Sequence, residues 1–196
     1  VDRSKVDSLQ QAGVTQLIPK PEEMDSLWRN VEQRSMLLSR QQAFIRFANN
    51  SQIQHNSAII EISGISVGVA CLNSAWLSAS DKDRNQLAVT RAQLHESSES
   101  ISHADLKLCI MHHPLSWLHD SDAVRVRTQI FQRFELLLHG HLHEDDGATI
   151  LSPAGELQQF SCNALYAKGE QCGFMFYDIC IPVSYTHLTL PTNREV

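Results

Sequence analysis

The spacing of apolar residues changes several times along this chain of 196 residues, and each spacing predicts an element. Over residues 22–48, Met24, Leu27, Trp28 and Val31 recur at helical intervals behind Pro21, a residue suited to a first helical turn. That pattern runs on to Asn49 and Asn50 and reads as a surface helical insertion without chemistry of its own. "SAIIEISGISVGVACLNSAW" (57–76) alternates and is rich in β-branched residues, which predicts two strands joined near Ser63 and Gly64. Residues 81–100 place Leu87, Ala88, Arg91 and Leu94 on adjoining turns of an amphipathic helix. A short apolar strand (104–113), a helix (123–134) and a strand (134–140) follow. Glycine and proline then divide three further strands, at 147–153, 156–165 and 172–180.

A helix, two strands, alternating helices and strands, then a run of strands suits a layered α/β domain with an antiparallel portion at its end. One domain over residues 1–182 is expected, with no internal repeat. The last residues, "VSYTHLTLPTNREV" (183–196), have neither turn logic nor amphipathic period, and they resemble the translation of a sequencing-library adapter. They are not expected to be native.

Composition narrows the class further. With 42% hydrophobic residues the chain can build a real core. A net charge of −6 argues against a surface that coats nucleic acid, which stays possible only as a substrate. No apolar run approaches the roughly 18 residues of a membrane span, and the N-terminus lacks the apolar core of a signal peptide. The five cysteines are scattered, as expected of buried, reduced thiols in a cytoplasmic protein.

The candidate chemistry lies in the histidines. His112, His113, His119, His139, His141 and His143 crowd into 32 residues, two groups of them where an apolar strand stops. Ligands gather at the carboxyl ends of strands in α/β sheets. His141 and His143 project from one side if their segment is extended, and Gly140 lets the backbone turn tightly there. Neutral imidazole binds zinc, iron and manganese well, so three histidines from two loops can supply part of a metal shell. Asp145 and Asp146 are read as capping or solvating the turn into Gly147, and Asn73 as structural.

"HHP" (112–114) and "GHLH" (140–143), in this order and each behind an apolar strand, resemble the late H-x-P and G-H-x-H motifs of the calcineurin-like metallophosphoesterase superfamily. The resemblance covers residues 1 to about 180 as the C-terminal part of one catalytic domain. It implies a four-layer α/β/β/α sandwich whose N-terminal portion is missing, because the opening "VDRSKVDS" resembles the stretch just past the third motif. It implies His112 and His141 as ligands of one metal ion and His143 as a ligand of the other, with His113 and His139 at variable positions beside the motifs. The intact parent is expected to use two ions (manganese, iron or zinc) to hydrolyse phosphomonoesters or phosphodiesters.

The superfamily's earlier motifs, D-x-H, G-D-x-x-D and G-N-H-D/E, do not occur in this chain. As it stands, the chain is expected to be inactive and to hold at most one ion weakly. Two other classes compete with this expectation: a non-catalytic binding or regulatory module of the same fold, and a mononuclear zinc hydrolase using His112, His141 and His143.

Overall fold

The protein is described from a computed structural model over residues 20–50, 57–78, 82–164 and 173–180. The opening residues and the adapter-like tail lie outside that range. Ser63 and Gly64 both take positive φ (53° and 81°), the backbone of a tight primed turn, and so join β1 (Ser57–Ile62) to β2 (Ile65–Leu72) as an antiparallel hairpin. The remaining strands are β3 (Leu106–Met111), β4 (Leu136–His139), β5 (Asp146–Ser152) and β6 (Gly155–Ser161). They form one six-stranded mixed sheet in the order β1-β2-β3-β4-β6-β5. Strands β2, β3, β4 and β6 run parallel, and antiparallel β1 and β5 close the two edges.

The helical insertion is three short helices and not one: α1 (Pro21–Arg29), α2 (Val31–Leu37) and α3 (Gln42–Asn50), with a 3₁₀ turn (Leu38–Gln41) before the third. Asn30 makes the first break, because its side chain accepts from the Gln33 N–H and starts a new helix. Nor is the insertion only a surface feature. Met24, Leu27, Trp28 and Leu37 pack with Trp76, Leu77, Ala88 and Ala92 into a second core, whereas Val31, expected on the same face, is exposed.

The helix expected over 81–100 is confined to α4 (Arg91–Ser100). Leu87 instead runs beside Leu118: its N–H donates to the Trp117 carbonyl, and the His119 N–H donates to the Leu87 carbonyl. The Asp122 carboxylate takes the N–H groups of Val89 and Thr90. With those groups bonded elsewhere, the helix starts only at the Thr90 cap, whose hydroxyl accepts from the Gln93 N–H.

Helices α4 and α5 (Asp120–Arg133) cover one face of the sheet. Leu94, Val126 and Ile130 bury Ala70, Leu72, Cys109, Met111, Leu137 and Leu157 there. Gly68 permits the close approach, since a Cβ would lie 2.8 Å from Ala104 and Ile101. The alternate positions carry Val69, Cys71, Leu108, Ile110 and Leu138 to the opposite face, where Ile60 and Ile62 of β1 are exposed and Ile110 is at the margin of exposure. Residues 173–180, expected as a strand, alternate in burial but join no ladder among the described residues. They cover part of the opposite face, with the Tyr177 ring 4.9 Å from that of Phe160. Of the thiols, Cys109 alone is fully buried; Cys71 and Cys180 are exposed, Cys162 is half-buried, and Cys172 lies outside the described residues. No helix among the described residues is long and apolar enough to cross a membrane.

Candidate metal centre

Three adjacent parallel strands deliver their carboxyl ends to one mouth of the sheet. Ser74 follows β2, His112 and His113 follow β3, and His141 follows β4. The Gly140 N–H donates to the His112 carbonyl at 3.0 Å, which ties the two histidine loops together. Across that tie, His112 Nε2 and His141 Nδ1 stand 3.1 Å apart.

His113 turns inward and is 4% exposed. Its backbone N–H donates to Ser74 Oγ at 3.1 Å, and its Nδ1 lies 2.9 Å from the same oxygen. The Trp117 ring stacks on His113 at 5.6 Å and meets the edge of His141 at 4.0 Å. His112, His113 and His141 each offer one nitrogen, and these nitrogens lie within 4.8 Å of one another. Neutral imidazoles at that spacing fit a single transition-metal ion.

The electrostatics favour the neutral form of His112 and His113. Burial, reinforced by the neighbouring imidazoles His112 and His141, pushes His113 down to about 4. His112 is lowered for the same reasons, burial first and then His141 and His143. Near neutral pH His112 and His113 are therefore neutral, each with one ring nitrogen lone pair that a cation can take.

Two of the three expected ligands, His112 and His141, meet here. His143 is exposed and falls outside the close group, although it stands near enough to His112 for its charge to be felt. The reason is the backbone. Residues 140–145 do not form an extended segment: His141 and His143 both take positive φ, 74° and 54°, so the alternation rule for extended chain does not apply. Gly140, expected to make the turn, is not the residue with the unusual backbone. A Cβ there would meet only ordinary contacts, 3.9 Å from the His112 carbonyl oxygen. Side-chain-bearing residues in the left-handed region are uncommon and strained, and they concentrate at functional sites.

His139 and His119 are committed elsewhere. His139 accepts from Gln159 Nε2 at 3.0 Å and leans on the Gly140 carbonyl through Nδ1. His119 caps α5, its Nδ1 accepting from the Ser121 N–H. Asp146 accepts from the Gly147 N–H, whereas Asp145 reaches across to both the backbone and the side chain of Asn163. Asn73 is structural in its contacts, donating to Gln41 Oε1 and accepting from the Ala75 N–H. Sequence spacing gave no reason to select His113 or Ser74; the only available signal was the position of each just past the end of a parallel strand.

No family model matches the chain, and no curated protein matches it. Among solved structures it is similar to the crystal structure of a hypothetical protein from Thermus thermophilus, at 16% identity and a TM-score of 0.37. That match takes in 56% of this chain and 38% of the other, so the chain spans well under half of that protein's length.

Proposed function

We propose that this chain is part of a metal-dependent phosphoesterase that hydrolyses phosphomonoesters or phosphodiesters. The observation that carries the reading is the meeting of His112 and His141 at 3.1 Å across the carboxyl ends of two parallel strands. Those two residues belong to the "HHP" and "GHLH" segments that resemble the superfamily's late motifs. A cation held there supplies the positive charge that polarises a phosphoryl oxygen and activates water for attack. The chain's own contribution is to present imidazole nitrogens at the carboxyl ends of two central strands, with Trp117 walling one side.

The sheet face opposite the helices, covered only in part among the described residues, supports the four-layer arrangement. Ile60, Ile62 and Ile110 sit where a second sheet would pack against the first, and exposed aliphatic area of that kind is costly without a cover. In this reading the carboxylate ligands and the leaving-group histidine come from sequence other than these 196 residues. A second reading, a hydrolase built on one ion, is favoured by the close three-histidine group.

The test is hydrolysis of an aryl phosphodiester with added manganese or zinc. The 196-residue chain should be inactive, and a longer form carrying the three earlier motifs should turn over only with metal. In the active form, His141→Ala should cost about 100-fold or more, beyond the 10- to 100-fold typical of residues behind the ligands, and His139→Ala much less. Equal losses at both positions, or metal-independent turnover by the longer form, would sink the proposal. Metal-dependent turnover by the 196-residue chain would favour the one-ion reading.

A further inference from the structure

We propose that the ion at this mouth is held by His112, His113 and His141 together, that Ser74 positions His113 for the task, and that the ion is of the zinc or cobalt class. The proposal rests on the reading above only in requiring that the mouth binds a metal. It differs from the resemblance, which gives His112 and His141 to one ion and His143 to a second, in adding His113 to the first ion.

Distance and donor type select the set. Two nitrogens on one tetrahedral ion, each bonded at about 2.0–2.1 Å, lie about 3.3 Å apart. The 3.1 Å between His112 Nε2 and His141 Nδ1 is close to that value. The third nitrogen within reach is that of His113, whose ring centroid lies 4.7 Å from that of His112 and 4.5 Å from that of His141. His143 is exposed and outside the group. The group contains no carboxylate, and Asp83 acts on His113 through its charge. A purely imidazole donor set suits zinc, cobalt and their neighbours, whereas magnesium and calcium require oxygen.

Ser74 completes the arrangement from behind. It is buried, and its Oγ accepts the His113 backbone N–H while facing Nδ1 of the same residue. A hydroxyl has two lone pairs, so it can also accept a hydrogen bond from an N–H at Nδ1. His113 then has its proton on Nδ1 and presents Nε2 to the ion, the tautomer control that partners behind metal-binding histidines commonly exert. Trp117 stacks on the same ring and limits its rotation. Three protein ligands leave a tetrahedral ion one open position, as catalytic zinc sites do. That position is available to water or to a phosphoryl oxygen.

Titrating Co²⁺ into the metal-free 196-residue chain, followed by visible absorption and calorimetry, tests this directly, with circular dichroism confirming that each variant folds. The wild type should give the intense absorption of four-coordinate cobalt. His113→Ala should weaken binding by more than about tenfold and abolish that absorption. His143→Ala should stay within about threefold of wild type, and Ser74→Ala should lose about tenfold, in the range for residues behind metal ligands. If His113→Ala fails to fold, His113→Gln, of similar bulk, takes its place.

A greater loss at His143 than at His113 would overturn the proposal and leave the phosphoesterase reading standing. A weak absorption of six-coordinate cobalt in the wild type would overturn it in the same way. Wild-type affinity in Ser74→Ala would remove the role given to Ser74. A folded wild type that takes up no cobalt would overturn the proposal, and the phosphoesterase reading would then be decided by the longer form.

Discussion

The loop that leaves β3 and the loop that leaves β4 carry facing histidines, yet they are built in opposite ways. The first, residues 112–119, is part of the core at several points. His113, Pro114 and Leu118 are buried, and the pairing of Leu87 with Leu118 holds it to the segment before α4. The second, residues 140–145, is mostly exposed, with Leu142 at 41%, and takes positive φ at two histidines. One loop is scaffold, paid for by burial. The other stores backbone strain that a bound ligand can offset. The proposed metal site between them would have a rigid half and a compliant half, so mutations of similar size should have very different effects in the two.

The largest effect should come from removing a core anchor of the rigid loop. Leu118→Ala deletes a side chain that is 1% exposed and should cost about 2–5 kcal/mol in chemical denaturation. His141→Ala, in the compliant loop, should cost far less stability. If the two proved equal, the distinction between the loops would fail. Next comes Asp122, whose carboxylate accepts from Val89 at 2.7 Å and Thr90 at 3.2 Å, just beyond the rigid loop. Asp122→Ala leaves two buried N–H groups without their acceptor and should cost about 1.5–3 kcal/mol, the range for hydrogen bonds to a charged group.

A smaller and more diagnostic effect is pH dependence. His113 is lowered in the folded state from an ordinary value near 6.5 to about 4, so the unfolded chain takes up its proton first as pH falls. Stability from this group should be complete above pH 6.5 and decline steadily between pH 6.5 and about 4. His112 and His139, also lowered, act in the same direction. Thermal unfolding of wild type and of His113→Ala across this window should show a shallower decline in the variant. Parallel curves would mean that His113 is not buried as described. The smallest effect should be Gly140→Ala, within about 0.5 kcal/mol, the usual range for substitutions away from special contacts, because its Cβ meets only ordinary neighbours. A larger loss would show that the second loop needs glycine after all.

Several elements were legible without coordinates. The turn at Ser63–Gly64, the apolar strands ending at Met111 and His139, and the start of α1 at Pro21 all follow from local rules of spacing and backbone preference. So did the placement of His112 and His141 at strand ends, where ligands are expected in α/β sheets. These features share a property: a few consecutive residues determine each of them.

Three other features depended on tertiary structure, because long-range partners overrode the local pattern. Residues 87–90 have helical spacing, but Trp117, His119 and Asp122 claim their backbone groups and the helix begins later. His141 and His143 alternate in sequence, but both take positive φ, which breaks the extended geometry that the alternation assumes. His113 reads from sequence as an incidental neighbour of His112; only the adjacent strand, by bringing Ser74 to its ring, makes it a candidate ligand. By itself the sequence determined which residues end the strands. Which imidazoles share a centre was decided by the order of the strands, because the groups that fix each ring lie tens of residues away in the chain.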